Sequence, residues 1–352
     1  MSDTSKPIRL GLIGCGGIVQ KSHLEGLLEI PETVNVSAIS DMVPENLLRI
    51  GTAANVPSDQ RYNDHRDMLE KADLDAVTIA TPHHLHAEHA LCAAEAGVAV
   101  ISEKPMAMSP EEADTILAAT EKHGVPYTVV HNFLFTPGFK VAKNGILEMG
   151  NTLYGRAKSL FNKTDSQTDP DSVWRASKAA GGGCINDSAY HEIYLVENLV
   201  GSPVKYVEAR VKTVYFDFDV DDLALLLMEH ENGAVSTVST SWCVPGTGGG
   251  EMGNLVEVHA REGGYRILKR GQGLQCARRS TRKWEEVELT EFSDMAEERK
   301  GRIGHAGFFA ATFDALSKGK DLPVTGKQAR HNLAIIEAAR QATVERRAIE
   351  VP

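Results

Sequence analysis

Ile8-Arg9-Leu10-Gly11-Leu12-Ile13-Gly14-Cys15-Gly16-Gly17-Ile18-Val19 is the stretch that decides the fold. Its first six residues are mainly apolar and read as a strand covered on both faces. The glycines that follow let the backbone approach a pyrophosphate where the next helix begins. Gly14, Gly16, Gly17 and Ile18 are therefore the residues expected along a dinucleotide. Val19 departs from the fingerprint, which wants Gly or Ala there for close packing of helix on strand. The second strand ends at Asp41, 22 residues beyond Val19, where an acid receives the hydroxyls of an adenosine ribose. Met42, Val43 and Pro44 follow, with no Arg or Lys directly after the acid. A 2'-phosphate would meet a carboxylate and little positive charge, so NAD is expected in preference to NADP. Without a cofactor, the same residues would be a tight turn and a solvated Asp at a strand end.

Outward from this unit, Val34 to Ser40, Ala76 to Ala80, Val98 to Ser102 and Tyr127 to Val130 read as further strands. The helical stretches between them imply a parallel sheet covered on both sides. One helix is sharply bounded: Ser109 caps it, Pro110 takes its first position, Glu112 completes a capping box and His123-Gly124 ends it. After about residue 150 hairpins dominate. Turns are expected at Glu231-Asn232-Gly233, Gly263-Gly264 and Ser280 to Lys283. Lys163 to Gly183 reads as a loop leading into a helix from Ile185 to Val200, and helices return at Gly304 to Ser317 and Lys327 to Arg346. The expected architecture is an N-terminal Rossmann doubly wound parallel sheet over residues 1–126. Residues 127–352 then form an α+β domain with a large, mainly antiparallel open sheet for substrate binding and oligomerisation.

The net charge of −11 is spread along 352 residues, and no Lys/Arg cluster tracks a phosphate backbone, which argues against nucleic acid. No apolar run is long enough for a membrane span, and the polar start lacks a secretory h-region. Five scattered cysteines without a CxxC pair fit neither a zinc site nor a disulfide scaffold, so a reducing cytoplasm is expected. His83, His84, His86 and His89 lie close in sequence, yet no carboxylate and thiol set completes a site, and no metal is expected. The Gly-rich loop Gly246 to Gly253 is expected to border a cleft or a subunit contact.

Three further segments resemble the Gfo/Idh/MocA family of sugar and cyclitol oxidoreductases. They are Ala80-Thr81-Pro82-His83-His84-Leu85-His86, Glu103-Lys104-Pro105, and Gly181-Gly182-Gly183-Cys184-Ile185-Asn186-Asp187-Ser188-Ala189-Tyr190-His191. With the glycine fingerprint they cover nearly the whole chain in the family's order. The resemblance implies that Thr81, Pro82, His86, Glu103 and Lys104 lie next to a nicotinamide, with Trp174-Arg175 near cofactor or substrate. It also implies that Lys104, Asp187 and His191 act together as the catalytic set. Asp187 and His191 are spaced i and i+4, one helical turn apart. Taken without the family, they would be an N-terminal helix charge and a core histidine, and Lys104 a solvated turn lysine.

Oxidising a secondary alcohol needs a base, a stabiliser of developing negative charge and a carbon held against the nicotinamide. His191 is the candidate base, because the reference pKa of an imidazole, about 6.5, suits proton transfer near neutrality. Lys104 is the charge stabiliser, and Asp187 orients the imidazole or assists binding. Two departures bear on substrate. Leu134-Phe135 stands where the family often has an Arg before an aromatic, and Tyr194 stands where cyclitol-oxidising relatives commonly have Asp. His131 and Tyr194 are thus the additional residues expected to touch substrate hydroxyls. The expected partner is a small carbohydrate or polyol, and sheet packing in relatives implies a homodimer or homotetramer. Two alternatives remain open: a glycoside hydrolase that oxidises C3 transiently with tightly held NAD, and an inert NAD- or sugar-sensing regulator.

Overall fold

The structure is a computed structural model, and it describes residues 6–164, 173–245, 254–289 and 304–352. In the first unit, β1 (Ile8–Ile13), β2 (Val34–Ser40), β3 (Arg61–Tyr62), β4 (Ala76–Ile79), β5 (Ala99–Ser102) and β6 (Tyr127–Val129) make one sheet. Its order is β3-β2-β1-β4-β5-β6 and every pairing is parallel. Helices α1 (Leu24–Leu28), α2 (Pro44–Ala53), α3 (His65–Lys71), α4 (His86–Glu95) and α5 (Pro110–His123) connect the strands. Strand order reverses between β1 and β4, and open α/β sheets bind ligands in the crevice at such a switch point. Leu10, Leu12, Val77, Ile79, Val100 and Ile101 are almost wholly buried, as continuously apolar strands require.

Local chemistry sets the boundaries. Ser109 Oγ accepts the Glu112 amide at 3.3 Å, and Gly124 closes α5 in the left-handed region. Glu112 reaches back to the Met108 amide at 2.9 Å, one residue before the cap. Val19 is fully buried and opens a π-type turn (Val19–His23) ahead of α1, so the first helix does not begin as a regular α-helix.

The second unit contains α6 (Pro137–Leu147), β7 (Thr152–Leu160), α7 (Tyr190–Val200), β8 (Val204–Lys212), β9 (Leu223–His230) and β10 (Val235–Ser241). It continues with β11 (Asn254–Ala260), β12 (Gly263–Leu268), β13 (Gly273–Arg278), β14 (Trp284–Glu286) and β15 (Ile349–Glu350). The nine strands run β14-β13-β12-β11-β7-β10-β9-β8-β15. All pairings are antiparallel except β10 with β7. Alternation along β9 buries Ala224, Leu226 and Met228 and leaves Leu225 and Leu227 half exposed, so helices cover one face only.

Two expectations need correction. Gly263 and Gly264 begin β12 rather than forming the turn, which falls at Arg261 and Glu262. A Cβ on Gly264 would lie 2.6 Å from the Val258 carbonyl oxygen, so the glycines serve close strand packing. The division between units also differs from residue 126. The described residues of Met1–Asn132 and Arg299–Arg330 form one compact unit, and those of Phe133–Glu298 and His331–Pro352 form the other. β6 belongs to the first unit because it pairs with β5, and Thr128 Oγ1 donates to the Val324 carbonyl at 2.7 Å. Helix α8 (Gly304–Lys318) lies in the first unit, and α9 (Gly326–Glu345) begins in the first and ends in the second. The Gly246 to Gly253 loop lies outside the described residues.

Candidate functional site

Gly14 has φ of +88°, and a Cβ there would sit 2.8 Å from the Ala80 carbonyl oxygen, so only glycine lets β1 and β4 end side by side. A Cβ built on Gly16 meets nothing within 4 Å. Gly16 and Gly17 are half-buried and Ile18 is exposed, leaving open space along the turn. The Cys15 amide donates to Asp41 Oδ2 at 2.7 Å and the Val43 amide to Oδ1 at 2.8 Å. Asn46 Nδ2 lies 3.2 and 3.3 Å from the two carboxylate oxygens. These bonds fix the acid at the end of β2. Open space over a glycine turn with a fixed acid beside it suits a dinucleotide with free ribose hydroxyls. Arg49 Nη2 donates to Asn46 Oδ1 at 2.6 Å, placing a guanidinium one side chain away from Asp41. The residues directly after Asp41 gave no sign of it, because it comes round on the next turn of α2.

Asp41→Ala is expected to weaken NAD binding about tenfold, close to the loss of one or two charge-assisted hydrogen bonds. NADP binding should hold or improve. Titration calorimetry with both cofactors checks this, and an equal loss for both contradicts the ribose role.

At the end of β4, Thr81 and Pro82 are half-buried and His86 is fully buried. His86 Nδ1 lies 2.7 Å from the Pro105 carbonyl and Nε2 lies 2.8 Å from the Thr81 carbonyl. Both ring nitrogens thus face backbone, so this imidazole bridges two turns. His131 is also buried, and burial pushes it down to about 3, so it is neutral.

Glu103 ends β5 in a buried setting. Its Oε1 lies 2.7 Å from His23 Nε2 and 3.7 Å from His305 Nε2, and its Oε2 accepts the Lys104 amide at 3.1 Å. Burial pushes this carboxyl up, but the two imidazole contacts outweigh burial and hold it well below the usual carboxylate range. Lys104 itself is half-buried, and the Lys104–Pro105 peptide is cis. His23, Glu103 and His305 are also the one group of three metal-capable side chains among the described residues. Neither histidine was singled out in the sequence, where each is a lone residue on an apolar helix face.

In the second unit, the Gly181-Gly182-Gly183 turn is tightly packed. A Cβ on Gly182 would lie 2.1 Å from the Arg175 carbonyl oxygen, and one on Gly183 would lie 2.6 Å from Asp221 Oδ1. Asn186 Nδ2 donates to the Gly181 and Gly182 carbonyls, and Arg340 Nη2 donates to Asn186 Oδ1. Asp221 accepts the Ile185 amide at 2.7 Å. The segment Ile185–Ala189 is a π-type turn, not the first turn of a regular helix, and it carries Asp187 into α7, which carries His191. The two residues stay about one turn apart.

Arg175 Nε lies 3.3 Å from Asp187 Oδ2, and its guanidinium stacks 4.4 Å above the Trp174 ring. Trp174-Arg175 therefore reaches a candidate catalytic acid, a connection that the sequence did not show. His191 Nδ1 lies 3.0 Å from the Tyr194 hydroxyl, and Phe133 packs edge-on against the imidazole at 4.9 Å. Tyr194 is buried. No helix of the described residues is long and apolar enough to cross a membrane, and all five cysteines are free thiols.

Residues 8–131 match an oxidoreductase family with an NAD-binding Rossmann fold, and residues 148–266 match the Gfo/Idh/MocA C-terminal domain. The chain is 30% identical over 296 residues to levoglucosan dehydrogenase of Pseudarthrobacter phenanthrenivorans, covering 73% of this chain and 72% of that protein. It is 24% identical over 363 residues to a scyllo-inositol 2-dehydrogenase (NADP(+)) of Bacillus subtilis, covering 97% of this chain and 95% of that protein. Its fold matches a solved levoglucosan dehydrogenase in complex with NADH and levoglucosan at a TM-score of 0.86 and 26% identity, over 98% and 100% of the two chains. The glycine turn, the acid ending β2, the Glu103-Lys104-Pro105 strand end and these matches agree: the chain belongs to the Gfo/Idh/MocA family of NAD-dependent oxidoreductases.

Proposed function

We propose that this chain moves a hydride between NAD and a secondary hydroxyl or ketone of a sugar, sugar derivative or cyclitol, with His191 as acid and base. The observation that carries this is the 3.0 Å contact between His191 Nδ1 and the Tyr194 hydroxyl. A phenol both donates and accepts. When Nδ1–H donates to the phenol oxygen, Nε2 is the base, and the imidazolium formed as it takes the hydroxyl proton is the acid that returns that proton in the reverse direction. One side chain thus supports both directions of a reversible oxidation.

Lys104 supplies an ammonium that stabilises the alkoxide character developing on the reacting oxygen. Asp187, held by Arg175, orients the substrate or the imidazole. Bound NAD supplies the hydride acceptor. Thr81, Pro82 and the Gly14–Ile18 turn line its place, with Asp41 on the adenosine ribose. Named relatives that act on levoglucosan and scyllo-inositol support a polyhydroxylated substrate. The half-exposed Leu225 and Leu227 on the uncovered face of β9 support a homo-oligomer formed through that face. Five free thiols suit a reducing cytoplasm.

The test is a panel of anhydrosugars, aldoses, glycosides and cyclitols with stoichiometric NAD. Reduced nicotinamide should accumulate one-for-one with oxidised product. Release of an aglycone with no net cofactor reduction would point instead to a hydrolase that recycles NAD. Firm NAD binding without turnover on the whole panel would point to a regulator.

A further inference from the structure

A buried carboxylate is costly unless it is paired and hydrogen-bonded, and Glu103 has partners for both oxygens within the first unit. His23 Nε2 at 2.7 Å is at hydrogen-bond distance from Oε1, and His305 Nε2 at 3.7 Å adds an electrostatic contact. The other oxygen accepts the Lys104 amide at 3.1 Å. The Glu103 amide donates to the Ile79 carbonyl at 2.8 Å, and Ser102 Oγ donates to the Glu103 carbonyl at 2.9 Å. One residue beyond Lys104, the Pro105 carbonyl meets His86 Nδ1 at 2.7 Å. The backbone of Lys104 is therefore gripped on both sides by contacts that run back to buried imidazoles.

The imidazoles are fixed in turn. His23 is wholly buried, with its ring 5.1 Å from Phe309 and 5.3 Å from the His305 ring, and Asn132 Nδ2 lies 3.5 Å from His305 Nδ1. Burial pushes His23 down against the pull of Glu103, which fits a neutral ring donating Nε2–H to a carboxylate. The remaining titratable groups acting on this carboxylate or its neighbours are Lys104, His131 after β6 and His86 on α4. The 2.7 Å spacing of His23 Nε2 and Glu103 Oε1 is that of a hydrogen bond. His23 Nδ1 lacks the hydrogen-bond acceptor that usually orients a metal-ligating histidine.

We propose that His23 and His305 are positioning residues for Lys104: they hold the Glu103 carboxylate, which holds the Lys104 backbone, so that the ammonium is presented from one fixed point. This rests on the reading of Lys104 as the charge-stabilising group. The experiment therefore includes a readout that needs no turnover.

Amide hydrogen exchange is followed by mass spectrometry on peptides covering residues 103–108, in the parent chain and in His23→Leu, His23→Gln and His305→Gln, with circular dichroism to check folding. In His23→Leu, exchange at Lys104 should rise by at least about tenfold while β1 and β4 keep their protection. The amide of Gln replaces the lost donor, so His23→Gln should return exchange to within about threefold of the parent. Turnover should fall as exchange rises, with NAD affinity held within about threefold. Because an unpaired buried carboxylate threatens folding, the milder His305→Gln decides if His23→Leu does not fold, with a rise of about threefold or more expected at Lys104 alone.

Parent-like exchange at Lys104 in a folded variant, or equal loosening of β1 and β4, overturns the proposal. So does a stoichiometric transition metal in the purified chain that is lost in His23→Leu. Loosened exchange in a chain whose Lys104→Met variant keeps full turnover would instead refute the catalytic reading of Lys104 and leave the positioning contact standing.

Discussion

Replacing His191 with Ala is expected to lower kcat by about 10²–10⁴-fold, the usual worth of a positioned acid or base. NAD affinity should stay within about threefold, because the cofactor contacts lie elsewhere in the chain. The contact that sets this ring is the Tyr194 hydroxyl at 3.0 Å, so Tyr194→Phe should cost less than His191→Ala and should alter the pH profile of kcat. Loss of the phenol removes the contact at Nδ1. His191→Gln keeps a polar group without proton exchange and should track Ala. Steady-state kinetics with the best substrate of the panel provide the measurement. A His191→Ala variant with near-parent kcat removes this residue from the mechanism.

Lys104→Met keeps the length of the side chain and removes the ammonium. We expect kcat to fall by about 10²–10³-fold, the scale on which loss of one preorganised charge or donor at a developing oxyanion acts. Lys104→Arg keeps the charge but spreads it over a planar group with different reach, so it should recover only part of the loss. The fold should survive both changes, since the Glu103 carboxylate grips the backbone amide of residue 104 rather than its side chain. If Lys104→Met retains parent turnover, the alkoxide is stabilised by another group.

The Rossmann unit was legible because its signals are local. Ile8–Ile13 and Val34–Ser40 occupy the residues that continuous apolar runs suggested, and Gly14 and Asp41 stand where a tight turn and a strand end need them. The hairpin of β9 and β10 was legible for the same reason, since Asn232 and Gly233 close it within a few residues. What stayed hidden depends on pairs far apart in the chain. Glu103 meets His23 across 80 residues, and nothing in the period of either segment marks that meeting.

The pair Trp174-Arg175 was noticed, but its contact with Asp187 arises only after the glycine turn folds the chain back on itself. Gly263 and Gly264 show how a local signal misleads. Their missing side chains admit neighbouring strands, a demand that only the assembled sheet reveals. The burial of His86 and His131 depends on how the strand ends pack together, which neither residue's neighbours in the sequence reveal.

Direct hydride transfer is the central claim, and a substrate deuterated at the oxidised carbon tests it most directly. With this label and unlabelled NAD, the account predicts one deuterium in each reduced nicotinamide released, matched by one unlabelled ketone product. Deuterium retained in the carbohydrate with no labelled nicotinamide in solution would contradict it.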